Sequence, residues 1–336
     1  MPESTPFKVT MLGPSGVGKT TILTVMHSRV EEALANTVMR LNPGKPDDEI
    51  SKAQATGMLL NYRKKLLKLL DEKNFISENG LDGTNNYAKY YFYLSNSQKP
   101  RSKKLLFEFV DYPGGWMTSN SLNRNEVISF LRESPVTIIA IDTPALMEQD
   151  AKYHETINMG DIVKQLLREA YEKVDKSESK LVMFVPVKCE KYIQNGESEK
   201  IKLKIHEKYH VLLKDLGHRS SSTAVVIAPI QTIGGVAFSY VGRPKQSGET
   251  PNFYFQHTKQ AQWSPVNAEQ PLRYILSFAL KNYLTEKQNN TNRYLQLLID
   301  WLGFDNELKN TISQFANQCK DGTDGFEVVQ GKHLLT

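Results

Sequence analysis

Residues 13–20 read Gly-Pro-Ser-Gly-Val-Gly-Lys-Thr and match the pattern G-x-x-x-x-G-K-[ST]. The strand-like run FKVTML at 7–12 precedes them, and from Thr21 onward the apolar residues have helical spacing. A glycine-rich turn between a strand and a helix aims successive N–H groups inwards at the positive end of the helix. This stretch therefore predicts an anion-binding loop of the kind that holds nucleotide phosphates.

The residues of this loop have expected roles. Lys19 is expected to neutralise the β- and γ-phosphates, and the Thr20 hydroxyl is expected to ligate Mg²⁺. The residues predicted to hold the phosphates are Gly13, Pro14, Ser15, Gly16, Val17, Gly18, Lys19, Thr20 and Thr21.

Apolar runs alternate with helical patterns after the loop. The runs lie at Tyr87–Leu94, Lys104–Val110, Val136–Ile141, Leu181–Val187 and Thr223–Ala228. The first two flank a polar turn and predict a hairpin, whereas the others are separated by helical patterns and predict parallel strands covered on both faces. We expect an α/β fold of the P-loop NTPase type, with a mostly parallel six-stranded sheet, one antiparallel hairpin strand and helices on both faces.

The domain organisation is predicted from length and pattern. We expect one domain at residues 1–287 with an insertion at about 43–83, followed by a helical appendage and tail at 288–336. The stretch after Gly235 has no clear pattern, and the residues from Gly322 resemble a loose tail. Further helical patterns lie at Ile50–Glu72, His154–Lys176, Pro271–Leu284, Thr291–Trp301 and Asn306–Cys319.

Composition excludes several classes of protein. The chain has 336 residues, a net charge of +5 and 2 cysteines, too few for a disulfide framework. No apolar run approaches the roughly 20 residues that span a membrane. The positive charge is scattered among acidic residues, so we expect no nucleic-acid partner. These features favour a cytoplasmic location.

A phosphate loop also needs a carboxylate for Mg²⁺ at the end of a neighbouring strand. Asp111 and Asp142 are the candidates. We prefer Asp111, because it begins the pattern D-x-x-G, in which the N–H of Gly114 can approach the γ-phosphate without a Cβ in the way. Asp142 is then interpreted as a structural or turn residue.

The hairpin before D-x-x-G resembles the translation-factor-like (TRAFAC) class of P-loop GTPases. This resemblance implies GTP or GDP with Mg²⁺ as the ligand. It also implies a sensor threonine before the hairpin, for which Thr84 is the matching position and Thr56 a weaker competitor. The implied catalytic residues are Lys19, Thr84 and Gly114, and the implied metal ligands are Thr20, Thr84 and Asp111.

The class reads guanine with the tetrad [NT]-K-x-D, and here residues 187–190 read V-K-C-E. Lys188 would lay its stem over the purine, and Glu190 would accept from guanine N1–H and N2–H in place of aspartate. Valine in the first position cannot make the usual polar contact. Gln231 and Thr232 match the loop that touches the base.

Three strings, V-D-Y-P-G-G, V-P-V-K-C-E and P-I-Q-T-I-G-G, look most like the double-GTPase (DO-GTPase) branch of bacterial conflict systems. The resemblance covers roughly residues 7–285. It implies a bacterial cytosolic protein that works with partner proteins.

The usual accelerators of hydrolysis are missing. Gly115 stands where many switch GTPases have a glutamine, and Gly16 stands where potassium-dependent relatives have an asparagine. We therefore expect slow hydrolysis that is activated by a partner, by self-association or by a residue of the insertion; the candidate arginines are Arg63, Arg124 and Arg132. Two alternatives stay open: a non-hydrolysing, nucleotide-loaded interaction module, and an ATP-specific P-loop NTPase or kinase.

Residues 206–210 match H-E-x-x-H, the spacing of a zinc protease. They fall in the helix between the base-reading strand and the last core strand, so we interpret them as part of a structural helix.

Overall fold

The computed structural model describes residues 6–71, 74–76, 87–98, 104–242, 251–259, 261–286 and 313–336. Its strands are β1 (Phe7–Leu12), β2 (Met39–Pro43), β3 (Asn74–Ile76), β4 (Ala88–Asn96), β5 (Leu105–Asp111), β6 (Val136–Asp142), β7 (Lys180–Val187), β8 (Thr223–Ile227), β9 (Val236–Val241), β10 (Phe253–His257) and β11 (Glu327–Gln330). Its helices are α1 (Lys19–Ser28), α2 (Val30–Ala33), α3 (Glu49–Asp71), α4 (Arg124–Glu133), α5 (Thr143–Met147), α6 (Gly160–Tyr171), α7 (Glu190–Gln194), α8 (Ser198–Gly217) and α9 (Gln270–Glu286).

The central sheet has eight strands in the spatial order β11-β8-β7-β6-β1-β5-β4-β2. The five strands β8, β7, β6, β1 and β5 run parallel, and β4 pairs antiparallel with β5. Every residue of β6, β7 and β8 is buried, which requires cover on both faces of the sheet. This α/β topology fits the P-loop NTPase fold, as the sequence predicts.

Two groups of helices pack around this sheet. In one group α4 contacts α6 and α6 contacts α8, and in the other α3 and α9 both contact α1. Within the described residues, no helix is long and apolar enough to cross a membrane.

The sheet is wider than expected. The prediction of six strands with one antiparallel strand is wrong at both edges, because β2 and β11 are added there, each paired antiparallel with its neighbour. Both strands are short and carry weak patterns. β2 reads MRLNP and ends in a proline, which is tolerated because it lies on an edge strand.

The C-terminal residues form part of the domain rather than a loose tail. β11 pairs with β8, and Phe326 and Leu335 are buried in the core. The expected tail from Gly322 is therefore wrong. The predicted boundary near residue 287 adjoins residues outside the described part of the chain and stays a prediction.

The insertion and the stretch after Gly235 meet in a second, three-stranded sheet of order β3-β10-β9. The helix expected in the insertion is present as α3, but sequence patterns missed all three of these strands. The single helix expected at His154–Lys176 is also wrong. A π-helical turn at His154–Asn158 precedes α6, and Met159 between them has a left-handed φ of 49°.

Candidate nucleotide site

The phosphate loop has the predicted strand–loop–helix form. It leaves β1, and α1 begins at Lys19 with Gly18 as its N-cap. Gly16 and Gly18 have φ values of 76° and 115°, which favour glycine. This geometry is the one that turns backbone N–H groups towards an anion.

Lys19 lies inside the loop, with 4% of its surface exposed. Its Nζ donates hydrogen bonds to the carbonyl oxygens of Gly13 at 2.8 Å and Pro14 at 3.1 Å. Burial lowers the pKa of Lys19 to about 8, and the nearby carboxylate of Asp111 opposes this shift. A buried amine held by two neutral carbonyls is under-compensated, so an anionic ligand would stabilise its charged form.

Thr20 and Asp111 are brought together as expected for a metal site. The Thr20 hydroxyl donates to Asp111 Oδ2 at 2.6 Å, and Asp111 is fully buried at the end of β5. β5 pairs in parallel with β1, so their carboxyl ends meet beside the loop. A hydroxyl and a carboxylate at this distance are hard oxygen ligands of the type that Mg²⁺ prefers, so the residues fit the ion. Thr84, the third expected ligand, lies outside the described residues.

Gly114 packs directly on the phosphate loop. A Cβ at this position would lie 1.9 Å from the backbone N of Ser15 and 2.2 Å from the carbonyl carbon of Pro14. Only glycine allows this approach between the D-x-x-G turn and the loop.

Asp142 has a structural role. It is buried, and its Oδ1 accepts a hydrogen bond from the N–H of Ala145, which caps α5. Its Oδ2 pairs with Nζ of Lys188 at 2.5 Å. Asp142 therefore also fixes the lysine that the sequence assigns to the purine.

Asp142 is held in turn by a polar network from the π-helical turn. The side-chain amide of Asn158 accepts from the N–H of Asp142 at 2.7 Å and donates to its carbonyl oxygen at 3.1 Å. The same amide lies 3.2 Å from Nδ1 of His154, which is buried and accepts in its neutral form. Burial, with lesser repulsion from Lys164 and Lys208, lowers the pKa of His154 to about 4.

We expect this histidine to make stability depend on acid pH. The unfolded state binds a proton below the ordinary pKa of 6.5, while the folded state binds it only near pH 4, so stability falls as pH falls through this window. The loss should reach about 2–3 kcal/mol. Urea unfolding at several pH values measures it. His154→Phe, which keeps a ring against Tyr209, should lose less over the same range, and equal losses in both proteins would contradict the assignment.

Glu190 ties the two base-side loops together. It is buried, and its Oε1 accepts from the N–H groups of Thr232 at 2.7 Å, Ile233 at 3.0 Å and Gly234 at 3.3 Å. Burial raises the pKa of Glu190, and these N–H groups oppose the shift. The sequence did not predict this contact. Recognition of the base by Glu190 stays a prediction. It requires the carboxylate to accept hydrogen bonds from residues 232–234 and from the purine at the same time.

The remaining base-side residues lie close by. Val187 faces the phosphate loop, since a Cβ on Gly18 would be 3.2 Å from Cγ2 of Val187. Gln231 and Thr232 are buried, and Gln231 pairs through its backbone with Val266. Contact of either side chain with a base stays a prediction.

A pocket of about 260 Å³ opens between the phosphate loop and Lys188. Two glycines of the D-x-x-G turn, the π-helical turn and the second sheet close its other sides. The residues that line it are Pro14, Ser15, Gly16, Gly114, Gly115, Asp142, Thr156, Ile157, Met159, Lys188, Pro251 and Phe253.

The three candidate arginines make contacts away from the loop. Arg124 forms a bidentate pair with Glu169, at 2.6 and 2.8 Å. Arg63 lies over the ring of Trp263. Arg132 is in the last turn of α4, where its carbonyl oxygen accepts from Lys180. None of these contacts selects a catalytic arginine.

The sequence missed one residue at the site. The hydroxyl of Tyr62, on α3 of the insertion, lies 3.3 Å from Oγ1 of Thr21. In the sequence its one distinguishing feature is a place on a leucine-rich helical stripe, and that position also suits an ordinary packing residue.

The H-E-x-x-H segment lies in α8, as part of a structural helix. His206 pairs with Glu327 of β11 at 2.6 Å, and Nδ1 of His210 lies 3.0 Å from the carbonyl oxygen of Glu207. Among the residues that the structure describes, no group of three or more His, Cys, Asp or Glu side chains could hold a metal ion.

Comparisons with known proteins add little to this geometry. No family model matches the chain, and no curated protein matches it. Among solved structures, the chain is similar to one titled the signal recognition particle receptor SRb-GTP/SRX complex from Chaetomium thermophilum. The TM-score is 0.36 at 14% identity, and the match covers 69% of this chain and 93% of that one. We draw no functional conclusion from a likeness at this level.

Proposed function

We propose that this protein binds guanine nucleotides with Mg²⁺ and hydrolyses GTP slowly as a switch for partner proteins. The observation that supports it most is the assembly of three predicted elements at one point. The phosphate loop, the Thr20–Asp111 pair and Gly114 come from separate parts of the chain and meet at the carboxyl ends of β1 and β5.

In this proposal each element has a distinct task. Lys19 exchanges its bonds with the loop carbonyls for bonds with the phosphates, which need a cation. Thr20 and Asp111 hold Mg²⁺, which supplies neutralisation of the phosphate charge. Gly114 brings a backbone N–H to the end of the phosphate chain. Thr84 would join the metal and catalytic residues if the TRAFAC resemblance extends to its loop.

We expect slow turnover because of the residues near the phosphate loop. Gly115 has no side chain that could orient water, and Arg124 is already paired with Glu169. The described arginine contacts offer no internal substitute for an arginine finger, which is worth orders of magnitude in rate.

Hydrolysis under single-turnover conditions tests this proposal. With protein in excess over radiolabelled GTP, we expect phosphate release far slower than one per second. Turnover of several per second by the isolated protein would refute the slow-switch proposal. Complete absence of release would favour the non-hydrolysing interaction module.

An ATP-specific NTPase is the second candidate, and two observations favour it. Glu190 already accepts three N–H groups from residues 232–234, and Val187 makes an apolar contact where the class has a polar one. Both features weaken the usual reading of guanine.

The switch role has support from an aromatic stack. Tyr87 follows Thr84 by three residues in the chain, and its ring stacks on Trp116, two residues after D-x-x-G, with centroids 5.9 Å apart. This contact supports coupling between the start of the hairpin and the D-x-x-G turn. The resemblance to the DO-GTPase branch adds the proposal of a cytoplasmic protein of a bacterial conflict system, with protein partners.

A further inference from the structure

Tyr62 reaches the nucleotide site from the insertion. Its hydroxyl lies 3.3 Å from Oγ1 of Thr21, the residue that follows Thr20 in the chain. Thr20 and Thr21 form the first turn of α1, directly after Lys19. The phenol therefore stands beside the hydroxyl that donates to Asp111.

The position of this phenol is fixed by packing. α3 lies against α1, and the buried side chains Leu59, Leu66 and Leu69 anchor it on either side of Tyr62. At its C-terminal end the helix is held by Nε2 of His257, which lies 3.2 Å from the carbonyl oxygen of Leu69. A tyrosine on a helix that is packed down on either side of it can hold a hydroxyl in one orientation with little entropic cost.

We propose that Tyr62 is a positioning residue of the metal site, which orients the Thr20 and Thr21 hydroxyls for the bound Mg²⁺ nucleotide. This inference rests on the proposed function. It assigns a role in nucleotide binding to the insertion, which would otherwise only enlarge the domain. Tyr62 would act through these threonines, because its hydroxyl lies beside that of Thr21.

Beside the Thr20 hydroxyl, a neutral group that can both donate and accept a hydrogen bond is favoured. The Thr20 hydroxyl has one proton, which it gives to Asp111 in this structure. When its oxygen ligates a cation, its lone pairs must face the metal, so its rotamer must be held. A phenol can donate to one threonine and accept from the other without adding charge beside Asp111.

Tyr62→Phe tests the inference, since it keeps the ring and removes only the hydroxyl. We expect the Mg²⁺ concentration at half-maximal binding of a fluorescent GTP analogue to rise about threefold to tenfold. Binding at saturating Mg²⁺ should stay within about twofold of the wild type. Thr21→Val removes the partner hydroxyl, and in the double variant the two shifts should not add.

Tyr171→Phe is the matched control. Tyr171 is buried in the last turn of α6, at the opposite end of that helix from Met159 of the pocket, so the loss of its hydroxyl should leave the Mg²⁺ midpoint unchanged. If Tyr62→Phe lowers the melting temperature without moving the Mg²⁺ midpoint, the residue only packs and the inference is wrong. If wild-type protein binds no GTP at any Mg²⁺ concentration, the proposed function itself fails, and this outcome is distinct from the first.

Discussion

Lys19→Ala is expected to weaken binding of GTP and GDP by at least about tenfold, and by up to about a hundredfold. The side chain is buried in the loop and makes two hydrogen bonds there, so its ammonium is held where the phosphates would lie. A hydrogen bond that involves a charged group is worth about 1.5–3 kcal/mol, and the net loss of one such bond to the phosphates gives the expected range. Calorimetric titration of Mg²⁺ nucleotide into both proteins measures it.

The control for this variant is Lys204→Ala. Lys204 carries the same charge on the surface of α8, where it pairs with Asp150 and Glu207. Its removal should leave nucleotide affinity within about twofold, because exposed ion pairs contribute little. If Lys19→Ala and Lys204→Ala bound nucleotide equally well, the assigned phosphate loop would not be the binding site.

Gly114→Ala is expected to lower the free energy of unfolding by about 1–3 kcal/mol, as overpacking does. The added Cβ would lie 1.9 Å from the backbone N of Ser15, and backbone atoms cannot move aside as a flexible side chain can. Relief requires the D-x-x-G turn to leave the phosphate loop, so the variant should also release phosphate from GTP more slowly than the wild type. Urea unfolding and single-turnover hydrolysis measure the two effects.

The chain offers a neighbouring control in Gly115→Ala. A Cβ at Gly115 would meet no atom within 4 Å, so this substitution should change the stability by less than about 0.5 kcal/mol. Equal stability of the two alanine variants would show that the contact between Gly114 and the loop does not exist in solution.

Much of the fold could be predicted because its strands are buried on both faces. β5, β6, β7 and β8 are almost entirely buried, and β4 alternates between buried and half-buried positions, so near-continuous apolar runs and a pattern of period two locate them. The edges could not be predicted, since β2 and β11 are four or five residues long and only half-buried. Their pairing partners are distant in sequence, and no local pattern encodes them.

The candidate site also has one end that could be predicted from the sequence and one that could not. Its phosphate end is encoded by short contiguous motifs, so Lys19, Thr20 and Asp111 were predicted to meet, and the structure places Thr20 against Asp111. Its base end depends on contacts between separate loops. Glu190 bonds residues 232–234, and Asp142 pairs with Lys188, neither of which a single motif reveals.

The role of Tyr62 could not be predicted from the sequence. Tyrosine on a buried stripe of a long amphipathic helix is ordinarily a packing residue, and nothing in residues 43–83 marks its hydroxyl as special. Its significance comes only from the packing of α3 on α1, which places it beside Thr21.

Competition between GTP and ATP for the Mg²⁺-loaded protein tests whether the site selects guanine. A fluorescent GDP analogue is bound first, and unlabelled GTP, GDP, ITP and ATP are titrated against it. We expect GTP and GDP to displace the analogue at concentrations at least about tenfold lower than ATP, with ITP between them, because a carboxylate accepts from both N1–H and N2–H of guanine. Equal or tighter binding of ATP would contradict the guanine assignment, and only the assignment of the phosphate loop would stand.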